Sequence, residues 1–274
     1  MKKFLAIVTL TFLSFSNFAQ TEFTFTVKDD KVTDGKSIKL QAFEYKPANS
    51  NGKVIIFSHG SVGGTTDQRA IKSPIKFLNT SKFALDNGYT FVTFMRKGRG
   101  ASEGEFTEER GRCGWGETQR ELNEAEVQLE QVIQQVKERY GVQKVILMGH
   151  SRGGFLSTTY AAKHPEQVQA VVNLAGVWNA ACQGKDNYAA KVGLEEAAKK
   201  FKPQLWAYFE YDSYFAGDTF NDYNYEWFKK LTSENGITFK VFSAGNRKDG
   251  HEAPVWIPKE WATEYFPKLN ELTK

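Results

Sequence analysis

The sequence is poor in cysteine, histidine and proline: its 274 residues include two cysteines, four histidines and seven prolines. Two cysteines cannot form the dense framework of a disulfide-stapled small fold. Stability must therefore come from a hydrophobic core, for which this length and a hydrophobic content of 41% suffice. The residues show no clustered His/Asp ligand spacing, so no metal is expected, and no organic cofactor is called for. A dense basic block is also missing. Lys and Arg total 36 against 32 Asp and Glu, a formal charge of +4 that lacks the footprint of a nucleic-acid binder. Repeats, low-complexity tracts and linkers are absent as well, so residues 20–274 read as one domain.

The N-terminus has a character of its own. MKKFLAIVTLTFLSFSNFAQ opens on two lysines, runs apolar from Phe4 to about Phe15, and turns polar before Ala19. This is the layout of a secretory signal peptide over residues 1–19, and the apolar stretch is too short to span a bilayer comfortably. The expected product is secreted or periplasmic, with no cysteine near the cut to carry a lipid anchor. Loss of Lys2 and Lys3 brings the remainder closer to neutrality. In an exported chain Cys113 and Cys182 can form one disulfide across a long loop; two separate buried thiols are the alternative.

EFTFTVKD (22–29) and KSIKLQAFEYKP (36–47) alternate like half-buried strands around an Asp34-Gly35 turn. The pattern then changes to short continuous apolar runs: KVIIFSHG (53–60), YTFVTFMRKG (89–98), KVILMGHS (144–151), VQAVVNLAG (168–176), PQLWAYFEYD (203–212) and ITFKVFSAG (237–245). Runs of this kind fit strands buried on both faces of a largely parallel sheet. Helical periodicity separates them. It is clearest over 117–141, where Leu122, Ala125, Val127, Leu129, Val132, Ile133 and Val136 recur, and over 152–163. Further helices are expected near 67–87 (broken by Pro74), 187–201, 222–235 and 258–273. The alternation predicts an α/β fold with helices on both faces of the sheet.

One stretch carries chemistry. In KVILMGHSRGG (144–154) a buried strand ends on Gly149-His150-Ser151-Arg152-Gly153 and a helix begins. A bare G-x-S-x-G match is weak, but a strand before it and a helix after it are what a nucleophilic serine on a strained bend requires. Gly149 and Gly153 let strand and helix pass closely.

With these residues the chain resembles the α/β-hydrolases, and in its brevity and strand order the dienelactone-hydrolase-like and small carboxylesterase branch. The likeness covers roughly residues 37–270. It implies a nucleophile followed in sequence by an acid and then a histidine. Of the four histidines, His150 adjoins the serine, His164 reads as a helix terminus, and His59 lies in the exit loop of the first buried strand. His251, in KDGHEAP past the last strand, occupies the family's position for the base. For the acid, Asp212 is favoured, with Glu210 and Asp218 as alternatives. The resemblance also implies an oxyanion hole from the backbone N–H groups of Arg152 and Ser61, the latter within Ser58-His59-Gly60-Ser61-Val62-Gly63-Gly64.

RKGRGASEG (96–104) resembles a structural loop of the family, and Arg96, Lys97 and Arg99 are read as surface charge or as recognition of an acidic substrate. The 28 or so residues between Gly176 and Gln204 leave room for a short lid at most. Trp178, Tyr188, Tyr211, Tyr214 and Phe215 fall in loops expected at the active face, where aromatic walls suit an apolar acyl group or ring. Cys113 and Cys182 fall in loops expected on that same side. The expected function is that of a cofactor-free serine hydrolase acting on a small ester; a peptidase, or a binding protein on a hydrolase scaffold, are the alternatives. Serine as nucleophile departs from the dienelactone hydrolases, which use cysteine.

Overall fold

The structure, a computed structural model, describes residues 20–29, 36–61, 78–108, 115–178, 188–215 and 225–274. The signal-peptide segment, the Asp34-Gly35 turn, and Cys113 and Cys182 lie outside these residues.

Two strands, β1 (Gln20–Lys28) and β2 (Ser37–Tyr45), pair antiparallel, with Gln20 opposite Tyr45 and Lys28 opposite Ser37. Next in sequence come β3 (Val54–Ser58), α1 (Leu78–Asp86), β4 (Thr90–Phe94), α2 (Trp115–Tyr140), β5 (Val145–His150) and α3 (Arg152–Lys163). They are followed by β6 (Val168–Leu174), α4 (Tyr188–Lys200), β7 (Gln204–Phe209), α5 (Glu226–Asn235), β8 (Thr238–Phe242), α6 (Ala253–Trp256) and α7 (Lys259–Leu272). The eight strands form one sheet in the order β1-β2-β4-β3-β5-β6-β7-β8. β2 pairs antiparallel with β4, and every later pairing is parallel.

The continuous apolar runs become strands because the sheet has a core on each face. Along β3 and β5 alternate residues point opposite ways. Val54, Ile56, Val145 and Leu147 face a layer containing Leu129 and Val132 of α2, Phe155 of α3, Leu194 of α4 and Phe228 of α5. Ile55, Phe57, Ile146 and Met148 face Leu85 of α1 and Trp261, Tyr265 and Leu269 of α7. Each such side chain contributes about 1.5–3 kcal/mol by leaving water, so strand interiors tolerate almost no polarity.

Two expectations need adjustment. Val127 has the helical spacing of α2 but lies on its exposed face, while the residues around it on the other face are buried. β8 is not buried on both sides: as the edge strand it exposes Lys240, which pairs with Glu264 of α7. A lysine on an edge also discourages pairing with a foreign strand. Among the described residues no helix is long and apolar enough to cross a membrane.

Candidate active site

In a parallel sheet the loops that leave the carboxyl ends of the strands converge, and functional side chains gather there. Ser151 follows β5 directly, with φ +55° and ψ −123°. That backbone region is unfavourable for a side chain carrying a Cβ and costs on the order of 1–3 kcal/mol. Hydrogen bonds on either side hold it. Its N–H donates to the Leu174 carbonyl at 3.0 Å, and its own carbonyl accepts from Phe155 at 3.0 Å and Val177 at 3.2 Å.

The bend is so tight that its flanking residues must lack a Cβ. One built on Gly149 would fall 2.3 Å from the Gly153 carbonyl carbon, and one on Gly153 would fall 1.9 Å from the Ser58 carbonyl oxygen. These contacts bring α3 down onto β5 and β3 together.

His251 and Asp212 complete the constellation from the exits of β8 and β7. His251 Nε2 lies 2.9 Å from Ser151 Oγ, and Nδ1 lies 3.0 Å from both carboxylate oxygens of Asp212. With Nδ1–H donating to Asp212, Nε2 is left to accept from the serine hydroxyl. All three residues are buried, Ser151 retaining 6% exposure and Asp212 none. Burial alone would push the His251 ring down, but the charge and hydrogen bond of Asp212 outweigh it and hold the imidazole above its ordinary value. Burial lifts the Asp212 carboxyl above its ordinary value, while His251 and the Tyr214 N–H, which donates to it at 3.0 Å, pull the other way.

The other two carboxylates considered at this position are not on the histidine. Glu210 is exposed, its N–H continuing the ladder to Phe242 of β8; Asp218 lies outside the described residues. The remaining histidines have separate partners. His150 Nε2 donates to the His251 carbonyl oxygen at 2.7 Å, and burial next to the His251 ring pushes its pKa down to about 3. His164 ends α3, stacked on Tyr160.

His59 and Gly60 bring the exit of β3 against the serine. A Cβ on Gly60 would sit 2.9 Å from that of Ser151. The Gly60 carbonyl oxygen accepts from His59 Nδ1 at 2.7 Å and from Arg99 Nη1 at 3.2 Å. In a trans peptide the N–H points opposite to the C=O, so the Ser61 N–H is directed away from Arg99. Ser61 is half-buried, and Arg152, whose N–H is the other donor anticipated from sequence, opens α3 immediately after Ser151.

The basic residues after β4 are neither surface charge nor an open anion site. Arg96 and Arg99 are 0% exposed and Lys97 is buried beside Asp29 at 3.0 Å. Glu108 is their common anchor, 2.5 Å from Arg96 Nε and 2.8 Å from Arg99 Nη2, with the buried Arg152 side chain at 3.7 Å. Burial works against the Glu108 charge, yet Arg96 and Arg99 hold its carboxyl far below the usual range. Arg96 also donates to the His59 carbonyl oxygen at 2.6 Å, so the cluster supports the β3 loop from beneath. Glu108 lies in a loop with no periodic pattern, and nothing local in the sequence singles it out.

The aromatic residues divide. Trp178 and Phe215 are core, Tyr211 is 60% exposed, and Tyr214 is half-buried with its ring centroid 4.2 Å from that of His251. The Tyr188 side chain lies outside the described set. Among the described residues no group of three or more His, Cys, Asp or Glu is arranged to hold a metal ion.

Comparison with known proteins agrees with this architecture. The structure superposes on an esterase of Pyrococcus furiosus, Pf2001, with a TM-score of 0.64 at 14% identity, over 94% of each chain. Est1E of Butyrivibrio proteoclasticus, captured with ferulic acid, matches with a TM-score of 0.57 at 16% identity, over 90% of this chain and 99% of that one. At such identities the likeness is one of fold. A curated relative, the abhydrolase domain-containing protein abhd-5.2 of Caenorhabditis elegans, is 39% identical over 54 residues; the match spans 20% of this chain and only 12% of that relative. The family model described as the alpha/beta hydrolase fold matches residues 53–211, more than half of the chain. The chain belongs to the alpha/beta hydrolase fold family.

Proposed function

We propose that the protein is a serine hydrolase that cleaves a carboxylic ester through a triad of Ser151, His251 and Asp212. The observation that carries this reading is the continuous relay from Ser151 Oγ to His251 Nε2 at 2.9 Å and from Nδ1 to Asp212 at 3.0 Å. A serine hydroxyl is a weak nucleophile until a base removes its proton. Ser151 Oγ attacks the ester carbonyl while His251 Nε2 accepts that proton. Asp212 keeps the ring in the tautomer that can do so and stabilises the imidazolium, without itself becoming protonated.

The negative charge on the former carbonyl oxygen is met by the N–H groups of Arg152 and Ser61. Arg152 adds the positive end of the α3 dipole. His251 then returns its proton to the leaving alcohol, and the C–O bond breaks to leave an acyl group on Ser151. A water activated by the same histidine releases the acid and restores the serine.

Esterase neighbours of the same fold favour an ester over a peptide bond, and a small-carboxylesterase character over that of a lactone hydrolase. Tyr214 beside His251 offers an apolar wall to the acyl group or alcohol. Export after cleavage at Ala19 belongs to the same proposal, on the lysine-apolar-small pattern of residues 1–19. The test is hydrolysis of p-nitrophenyl esters of increasing acyl length. Turnover that falls at least ~10³-fold in both Ser151→Ala and His251→Ala supports the reading. Turnover unchanged in either variant refutes it.

A further inference from the structure

β7 and β8 leave the sheet side by side, and the two turns that follow them are tied by one carboxylate. Asp249 Oδ1 accepts from the Ser213 N–H at 3.1 Å and from the His251 N–H at 2.9 Å, while Oδ2 accepts from the Ser213 hydroxyl at 2.7 Å. Ser213 directly follows Asp212. The single side chain of Asp249 thus holds the residue next to the acid and the backbone of the histidine itself.

Gly250 closes the same seam. Its N–H donates to the Tyr211 carbonyl oxygen at 3.1 Å, and a Cβ there would lie 1.9 Å from the Glu210 carbonyl oxygen. The turns are thus tied on both sides of Asp212, by backbone contact at Glu210 and Tyr211 and by the Asp249 side chain at Ser213.

Capping a short turn at His251 needs only the bond to the His251 N–H, and Asn or Ser would serve. The two bonds to Ser213 reach across to the other turn and add nothing to that cap. An ionised carboxylate is suited to the whole task because it accepts several donors and makes them charge-assisted. Burial opposes its charge, but the Ser213 hydroxyl and the two N–H groups hold its carboxyl below the ordinary range.

We propose that Asp249 is a positioning residue for hydrolysis, setting the distance and angle between Asp212 and His251 Nδ1 by locking the two turns that carry them. The proposal rests on the triad reading above. Asp249 touches no reacting atom and acts only through Ser213 and the His251 backbone.

The experiment compares wild type, Asp249→Ala, Asp249→Asn and Ser213→Ala by two readouts. One is the far-downfield proton resonance of the His251 Nδ1–H···Asp212 bond, assigned by its absence in His251→Ala. The other is steady-state hydrolysis of p-nitrophenyl acetate, normalised to folded protein by near-UV circular dichroism. Asp249→Ala is expected to lose or broaden the resonance and to lower kcat about 10–100-fold with KM within about threefold. Asp249→Asn, which keeps an oxygen for the two N–H donors, is expected to recover part of both, and Ser213→Ala to show a smaller loss of the same kind. An unchanged resonance in Asp249→Ala overturns the proposal, as does a loss of kcat that merely tracks the folded fraction. A wild type that shows the resonance but no hydrolysis overturns the triad reading instead, and the resonance still decides the role of Asp249.

Discussion

Gly153 packs against Ser58 so closely that a Cβ on the glycine would lie 1.9 Å from the serine's carbonyl oxygen. That atom belongs to β3, while Gly153 belongs to α3, so the contact sets how deeply the helix seats beneath Ser151. Gly153→Ala must push α3 and β3 apart. Overpacking of this kind costs about 1–3 kcal/mol or more, and here it also displaces the Arg152 N–H. The expected result is a lower Tm together with at least a tenfold loss of ester turnover, measured by calorimetry and kinetics on the same sample.

The strain at Ser151 predicts a difference between two variants that lack the hydroxyl. Ser151→Ala and Ser151→Gly both remove the hydroxyl, but only glycine adopts φ +55° with ψ −123° without steric cost. Ser151→Gly is expected to be the more stable by about 1 kcal/mol, the strain relieved less the entropy that glycine adds to the unfolded chain. Chemical denaturation of the two variants checks this. Equal midpoints, or a more stable alanine variant, would mean that the bend stores no strain.

The histidines predict pH effects of opposite sign. As the proposed base His251 must be neutral, so kcat/KM is expected to rise with pH through a midpoint above the ordinary histidine value, because Asp212 favours the charged ring. Asp212→Asn is expected to lower that midpoint and the plateau. In stability the same raised pKa works the other way: the contribution of His251 is fully present below the unfolded value and lost as pH rises through the folded one. His150, buried and pushed down to about 3, contributes stability above the unfolded value of about 6.5 that is lost as pH falls towards 3. His150→Gln should flatten the stability profile across that interval, as read from urea midpoints at successive pH values.

Glu108 predicts a large effect from one loop residue. Removing its charge leaves Arg96 and Arg99 buried without the carboxylate they share. Breaking a buried charge pair from one side costs about 3–5 kcal/mol. Glu108→Gln is expected to lose that much in denaturant unfolding and to loosen the His59–Gly60 loop. A loss under 1 kcal/mol would show that the cluster carries little.

Much of this architecture is legible in residue pattern because its physics is local. Five buried strands read as nearly continuous apolar runs, since a sheet covered on both faces admits few polar side chains, such as Thr93 and Asn173. The elbow reads from Gly149 and Gly153, whose missing Cβ atoms are a packing requirement, and the loops bearing Ser151, Asp212 and His251 are the ones that converge. What escapes is whatever depends on distant partners. Arg96 and Arg99 look like surface charge until Glu108, from a patternless loop, is seen to bury with them. β8 looks like a core strand because nothing in ITFKVF reveals that, among the described residues, no further strand pairs beyond it. Asp249 carries a local signal, an acceptor two residues before His251, but its second partner, Ser213, lies 36 residues away in sequence.

The most direct test of the central claim is reaction of the purified protein with a fluorophosphonate, followed by peptide mass spectrometry to locate the adduct. A serine made nucleophilic by His251 predicts one adduct, on Ser151, absent in Ser151→Ala and strongly slowed in His251→Ala and Asp212→Asn. Folded wild-type protein that takes up no label, or labels elsewhere, would contradict the account.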